Sequence, residues 1–257
     1  MKSKKPMFQL SSQLKNSATY FTYEGFKKFL EEYPKPRLLT RKKTQYYNVP
    51  ISFDIETSSF CLNGNKVAIM YEWTFSYNGE VWYGRYWQEF LDLIKILACV
   101  LDLSLEKRVI IFVHNLSYEF QFIRKRFTWE KIFALQEREI LYGCTIEGVE
   151  FRCSYLLSGY SLANLAKNLH RFKIKKLVGD LDYSLIRTPL TSLTEQELQY
   201  CINDVQIVVA YITELIIRDR GIVNLQLTKT GYVRKFCRDS CYYGFGKKSK
   251  SGIQGVS

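Results

Sequence analysis

The pattern of apolar and polar positions changes character at Val49. Before it, residues 1–48 are polar and basic, with a short helical pattern only around Tyr23 to Glu32. After it, ISFDIE (51–56) is a short apolar run that ends in two acids and reads as a strand. KVAIMYEWTFSY (66–77) alternates with period two, Asn78-Gly79 supplies a tight hairpin turn, and EVWYGRYW (80–87) returns. Residues 88–104 set Phe90, Leu93, Ile94, Leu97 and Leu101 at helical spacing. RVIIFVH (108–114) has the composition of a buried strand, and LSYEFQFIRKRF (116–127) predicts a helix directly after it. Two or three short strands are expected in 131–153, then a helix over 161–170 with Ser161 as its N-cap. TEQE (194–197) is a capping-box pattern that opens a long helix over 195–219.

Three leading strands followed by alternating helices and strands predict an α/β domain, a mixed sheet flanked by helices in the order of a ribonuclease H-like nuclease. The chain divides on this reading into a basic N-terminal extension (1–48), the α/β domain (49–226) and a basic C-terminal tail (227–257). Apolar residues at 47% and charged residues at 24% describe a globular chain and exclude a disordered one. No apolar run approaches the ~18 residues of a membrane span, and the N-terminus lacks the apolar core of a signal peptide. Seven cysteines at scattered spacings read as reduced thiols of a cytoplasmic protein. Cys237 and Cys241 share a helical face, but no second ligand pair accompanies them to make a zinc site.

Charge refines this picture. Residues 1–48 hold eleven Lys/Arg against three Glu, +8, and residues 228–257 hold seven against one Asp, +6. The middle is therefore close to neutral, near −2 of the chain's +12. Basic flanks around a neutral middle suit a protein that grips phosphates in one place and gathers carboxylates in another.

The acids are the candidate chemistry. Asp54 and Glu56 are two apart on one strand and so share a face. Like charges placed that way are costly unless a cation lies between them. Asp204 follows Tyr200 by four residues on the long helix, which puts phenol and carboxylate on one side. Glu119 lies at the start of the helix that follows the 108–114 strand. Convergence of these four carboxylates would make a site for two hard ions, Mg²⁺ or Mn²⁺.

FDIET (53–57), HNLSYEFQFI (114–123) and YCINDV (200–205) together resemble the three exonuclease motifs of family B DNA polymerases, most closely the protein-primed branch of phages and linear plasmids. KKLVGDLDYS (175–184) and LTKTGYVRKFCR (227–238) resemble further segments of that branch, so the likeness spans about 49–238. The resemblance implies a 3′→5′ proofreading domain of the DEDD type with a tyrosine in its third motif. It makes Asp54, Glu56, Glu119 and Asp204 metal ligands and Tyr200 the residue that orients the attacking water. Thr57, His114, Asn115, Tyr118, Ser154 and Tyr183 fall where the family contacts a single-stranded 3′ end.

Three features depart from the family pattern. Glu119 stands where the second motif usually has Asp. Val178 stands where a lysine near the scissile phosphate is common, which leaves Lys175 or Lys176 to replace it. The polymerase motifs themselves are missing, which leaves a truncated or split polymerase, or a stand-alone exonuclease.

The expected partners are a single-stranded DNA 3′ end and either a polymerase domain on another chain or a terminal primer protein, with no membrane. The expected compartment is cytoplasmic, the host cytoplasm if a phage encodes the chain. Two alternatives stay open: a catalytically weak module that binds single-stranded nucleic acid or docks in a replication complex, and an exoribonuclease of the same fold.

Overall fold

The computed structural model describes residues 14, 17–137, 139–177 and 185–241. Along the chain run β1 (Ala18–Tyr20), α1 (Tyr23–Glu32), β2 (Leu38–Arg41), β3 (Thr44–Tyr47), β4 (Ile51–Leu62), β5 (Asn65–Tyr77) and β6 (Glu80–Gly84). There follow α2 (Trp87–Val100), β7 (Lys107–Val113), α3 (Leu116–Ile123), β8 (Trp129–Ala134), β9 (Ile140–Thr145) and β10 (Val149–Cys153). The last elements are α4 (Ser154–Ser158), α5 (Leu162–Lys167), α6 (Glu195–Asp219), a 3-10 turn (Ile222–Asn224) and α7 (Lys229–Asp239).

The sheet has the strand order β1-β6-β5-β4-β7-β10-β9-β8, and β3 adds β2 beside β7. β4, β7 and β10 are parallel neighbours, while β4-β5-β6 and β10-β9-β8 are antiparallel meanders. This is the mixed sheet flanked by helices that the pattern predicts. Two Asn-Gly pairs close the first meander. Asn63-Gly64 and Asn78-Gly79 all sit at positive φ, the geometry of a two-residue hairpin turn. The pair at 63–64 had the same signature as its neighbour and extends β4 well beyond the expected 51–56.

Side-chain alternation sorts the two faces. Ile51, Phe53 and Ile55 of β4 join Trp73 and Phe75 of β5 in a core with α1, α2 and α3. Their alternate neighbours Ser52, Asp54 and Glu56, with Glu72, Thr74 and Ser76 in register across the pair, share the opposite face. α6 packs against β4 and β5. Between Glu56 and Thr57 the pairing skips one residue on β5, so Tyr71 is left over as a bulge.

Several boundaries differ from the sequence reading for local reasons. The strand expected over 80–87 ends at Gly84, because Glu89 accepts the main-chain N–H groups of Arg85 (2.7 Å) and Tyr86 (2.9 Å) and starts α2 there. A β-carbon on Gly84 would run into the Trp73 ring. α3 stops at Ile123 rather than 127, and α4 was not foreseen. Ser161 does cap α5, but the helix ends at Lys167, with Asn168 as its C-cap. Beyond it, the main-chain N–H of His170 donates to Glu214. Tyr23–Glu32 forms a helix as expected, with Thr22 as N-cap.

The segment read as an N-terminal extension is, from Ala18 onward, woven into the fold. β1 pairs parallel to β6, α1 buries Phe26 and Leu30 completely or nearly so, and β3 joins β7. One further correction concerns α6. Its central window is apolar and long enough to cross a membrane by composition alone, contrary to the expectation that no such run exists. Of that window 72% is buried inside this fold, which accounts for the hydropathy without a bilayer.

Candidate active site

Four elements bring five carboxylates together: Asp54 and Glu56 on β4, Glu72 on β5, Glu119 on α3 and Asp204 on α6. Each arrives there by simple local logic. The period of β4 puts Asp54 and Glu56 on the α6 side of the sheet. Glu119 lies in the first turn of α3, where the helix dipole favours an anion. Thr194 accepts from the Glu197 N–H at 3.2 Å, and Glu197 accepts from the Thr194 N–H at 2.7 Å; this box starts α6 nearly three turns before Asp204. Glu197 also holds Arg187 at 2.6 Å.

Burial and mutual repulsion hold protons on these acids. Burial, then the neighbouring Asp204, pushes Asp54 up to about 7. Burial raises Asp204 to about 6 against the opposing pull of Lys176. Glu56 and Glu119 lie well above the ordinary carboxylate range, through burial first and the Asp54 charge second. Glu72 is fully buried and pushed up to about 8, again mainly by burial.

Lys176 is the cation of the cluster. Its ammonium rests on both oxygens of Asp204 and 3.6 Å from the centre of the Tyr200 ring. Asn203 puts it there: its amide donates to the Lys175 carbonyl (3.0 Å) and accepts from the Leu177 N–H (2.9 Å). The Lys175 side chain is exposed and only its carbonyl is engaged, so of the two candidate lysines it is Lys176 that meets the acids.

The residues expected to hold a strand surround this cluster. The hydroxyls of Thr57 and Tyr118 share a hydrogen bond that bridges β4 and α3. His114 Nδ1 lies 3.2 Å from Ser154 Oγ, and its ring meets Tyr155 edge-on. Burial, then the Lys176 charge, lowers the His114 imidazole to about 4, so it is neutral. Asn115 is exposed at the N-cap of α3 and Tyr118 is exposed beside it. Tyr183 and Val178 lie outside the described residues.

Two contributors escaped the sequence reading. Glu72 was legible as an acid in the middle of a strand, and it pairs with Glu56. Asn203 lies within YCINDV, and only the path of 175–177 reveals its role.

The donor set suits hard divalent ions. Glu119 Oε2 and Glu72 Oε2 are buried without a hydrogen-bond partner, and among the described residues the five carboxyls have one ammonium between them. The arrangement is not closed, however. Among the described residues no three His, Cys, Asp or Glu side chains are set to hold an ion as they stand, and Lys176 engages Asp204.

The mixed sheet flanked by helices, with a carboxylate cluster where β4, β5, α3 and α6 meet, is an α/β architecture shared with known structures. Known structures with this fold include a DNA polymerase. Phi29 DNA polymerase complexed with primer-template DNA and incoming nucleotide substrates is similar at TM-score 0.58 and 18% identity, over 77% of this chain and 35% of that one. Phi29 DNA polymerase complexed with single-stranded DNA gives 0.57 and 16%, over 77% and 36%. Its orthorhombic crystal form gives 0.56 and 16%, over 76% and 34%. The chain thus spans about a third of the length of these structures, and at such identity the likeness is one of fold. No protein-family model matches the chain, and no curated protein matches it in sequence.

Proposed function

We propose that the chain is a two-metal-dependent 3′→5′ exonuclease acting on single-stranded DNA ends, the proofreading part of a protein-primed family B replication system. The observation that carries this reading is the meeting of Asp54, Glu56, Glu119 and Asp204 beside Tyr200 and Lys176. Asp54, Glu56, Glu119 and Asp204 would hold Mg²⁺ or Mn²⁺. When bound, the ions supply an activated water and stabilise the leaving 3′ oxygen. Ionisation of the four carboxyls, now partly protonated, accompanies loading. Tyr200 orients the attacking water through its hydroxyl. Lys176 leaves Asp204 and turns to the scissile phosphate, a cation freed for the substrate as the carboxylate is taken over. Thr57, Asn115, Tyr118, His114 and Ser154 grip the terminal nucleotides, with the neutral His114 acting as a hydrogen-bonding group and not as a charge.

The test is degradation of 5′-labelled single-stranded DNA with and without Mg²⁺ or Mn²⁺, against Asp54→Ala and Asp204→Ala. Each substitution should cost about 4 kcal/mol or more of barrier, roughly a thousandfold in rate. A metal-dependent ladder from the 3′ end, lost in both variants, supports the reading. Intact DNA under both metals sinks it.

The contact of Lys176 with Asp204 favours a second reading, in which the chain binds a single strand without cleaving it. Binding of DNA by a chain that degrades none under either metal would establish that one. The same ladder run on RNA separates DNA from RNA preference.

A further inference from the structure

A cavity of about 260 Å³ opens between β2, the 3-10 turn and α7, lined by Thr40, Arg41, Asn224, Gln226, Lys235 and Arg238. It holds three cationic side chains and no carboxylate. Arg238 has a partner in Asp239 at 3.5 Å. Asp219, near enough to Lys235 to feel its charge, is already bound by Arg218 and by the Tyr232 hydroxyl. Among the described residues Arg41 and Lys235 make no ion pair. The amides do not supply the missing charge. Asn224 donates to the Asp219 carbonyl (2.9 Å) and Gln226 to the Asn224 carbonyl (3.0 Å), so both shape the wall. Three cations drawn around one concavity repel one another until an anion joins them.

The position of the cavity gives that anion a class. It lies just past the C-terminal end of α6, and Asp204 lies fifteen residues before that end, about 22 Å at roughly 1.5 Å per residue. We propose that this cavity is a second phosphate site, holding the backbone of the same nucleic acid whose end enters the carboxylate cluster. The inference rests on the nucleic-acid reading above. A strand stacked as in a duplex, at roughly 3.4 Å per nucleotide, covers that distance in about seven nucleotides. Arg41 and Lys235 carry the contact, and Arg238 adds charge.

Fluorescence anisotropy in EDTA, where no cleavage competes, tests this with labelled single strands of 4 and 20 nucleotides. The variants are Arg41→Glu/Lys235→Glu and, as a control of equal charge change on the opposite side of the sheet, Lys28→Glu/Lys95→Glu. The pocket variant should bind the 20-mer about 10-fold more weakly, with the slope of log K against log salt reduced by about 1.4, two phosphates at ~0.7 each. Its affinity for the 4-mer, and the control's affinity for both, should stay at wild type. An unchanged 20-mer affinity and slope, or an equal loss in the control, overturns the second site while leaving the nuclease reading intact. A wild-type chain that binds neither oligomer overturns the nucleic-acid reading and this site with it.

Discussion

The ammonium of Lys176 is held on the carboxylate of Asp204, over the face of Tyr200. That contact neutralises one acid of the cluster and pulls its proton affinity down. Lys176→Met should therefore let Asp204 titrate higher. The acidic limb of the pH–rate profile of DNA cleavage should move to higher pH, with a rate loss of about 10-fold or more at pH 7. An unmoved limb would mean that Lys176 does not act through Asp204.

Asn203→Ala removes both hydrogen bonds that pin residues 175–177 to α6. The expected stability loss is about 1 kcal/mol. The rate should fall as in Lys176→Met, because the lysine loses its seat. A thermal melt together with the cleavage rate checks this; a lower Tm with an unchanged rate would separate the strap from the chemistry.

The metal-free chain should lose stability as pH rises. Asp204, Asp54 and Glu72 hold their protons up to about 6, 7 and 8 when folded, against roughly 4 when unfolded. The folded state therefore binds more protons, so these groups favour folding most below about pH 4, and that benefit is lost as pH passes through their folded values. Melts in EDTA should show Tm falling from pH 5 to pH 8. Mg²⁺ should restore it at pH 8 and do little at pH 5.

Glu72 is protonated at neutral pH and has Thr74 Oγ1 donating to it at 2.8 Å. Glu72→Gln keeps the shape and removes the titration. Melting at pH 7 should change by no more than a few degrees, while at pH 9 the variant should outlast wild type. A large loss at pH 7 would show that the carboxyl is needed in its charged form.

Phe26 packs at 0% exposure against Trp82 and Phe75, from a segment that composition alone presents as a basic tail. Phe26→Ala should cost about 3–5 kcal/mol by urea denaturation. A loss below 1 kcal/mol would make residues 18–47 a dispensable extension.

What the sequence disclosed follows from how local each signal is. The capping box at Thr194 and Glu197, the hairpin at Asn78-Gly79 and the helix at Tyr23–Glu32 are decided within a few residues, and all appear where the pattern puts them. Asp54, Glu56, Glu119, Tyr200 and Asp204 could be named because each sits on a periodic element whose face the pattern fixes. The rest depends on distant partners. Nothing near Lys176 in sequence says that Asn203 will strap it to α6. Glu72 gained its meaning only from the register that sets it opposite Glu56. The basic run before Val49 hid Phe26 and Leu30 because charge dominates its average, while two apolar residues four apart suffice to dock a helix.

The left-over residue beside Glu72 has a reach beyond its own strand. At the bulge the Tyr71 carbonyl accepts from Arg85 Nε at 2.6 Å, and the same guanidinium donates to the carbonyls of Thr188 and Thr191, the approach to α6. One irregularity in β5 is thus tied to the entry of the helix that carries Asp204. Lineages of this protein should then tolerate length changes very unevenly. Insertions and deletions are free to accumulate at the exposed hairpin tip around Asn63-Gly64. From Tyr71 to Arg85 the residue count should stay fixed over long divergence, because one added residue would shift strand and helix together.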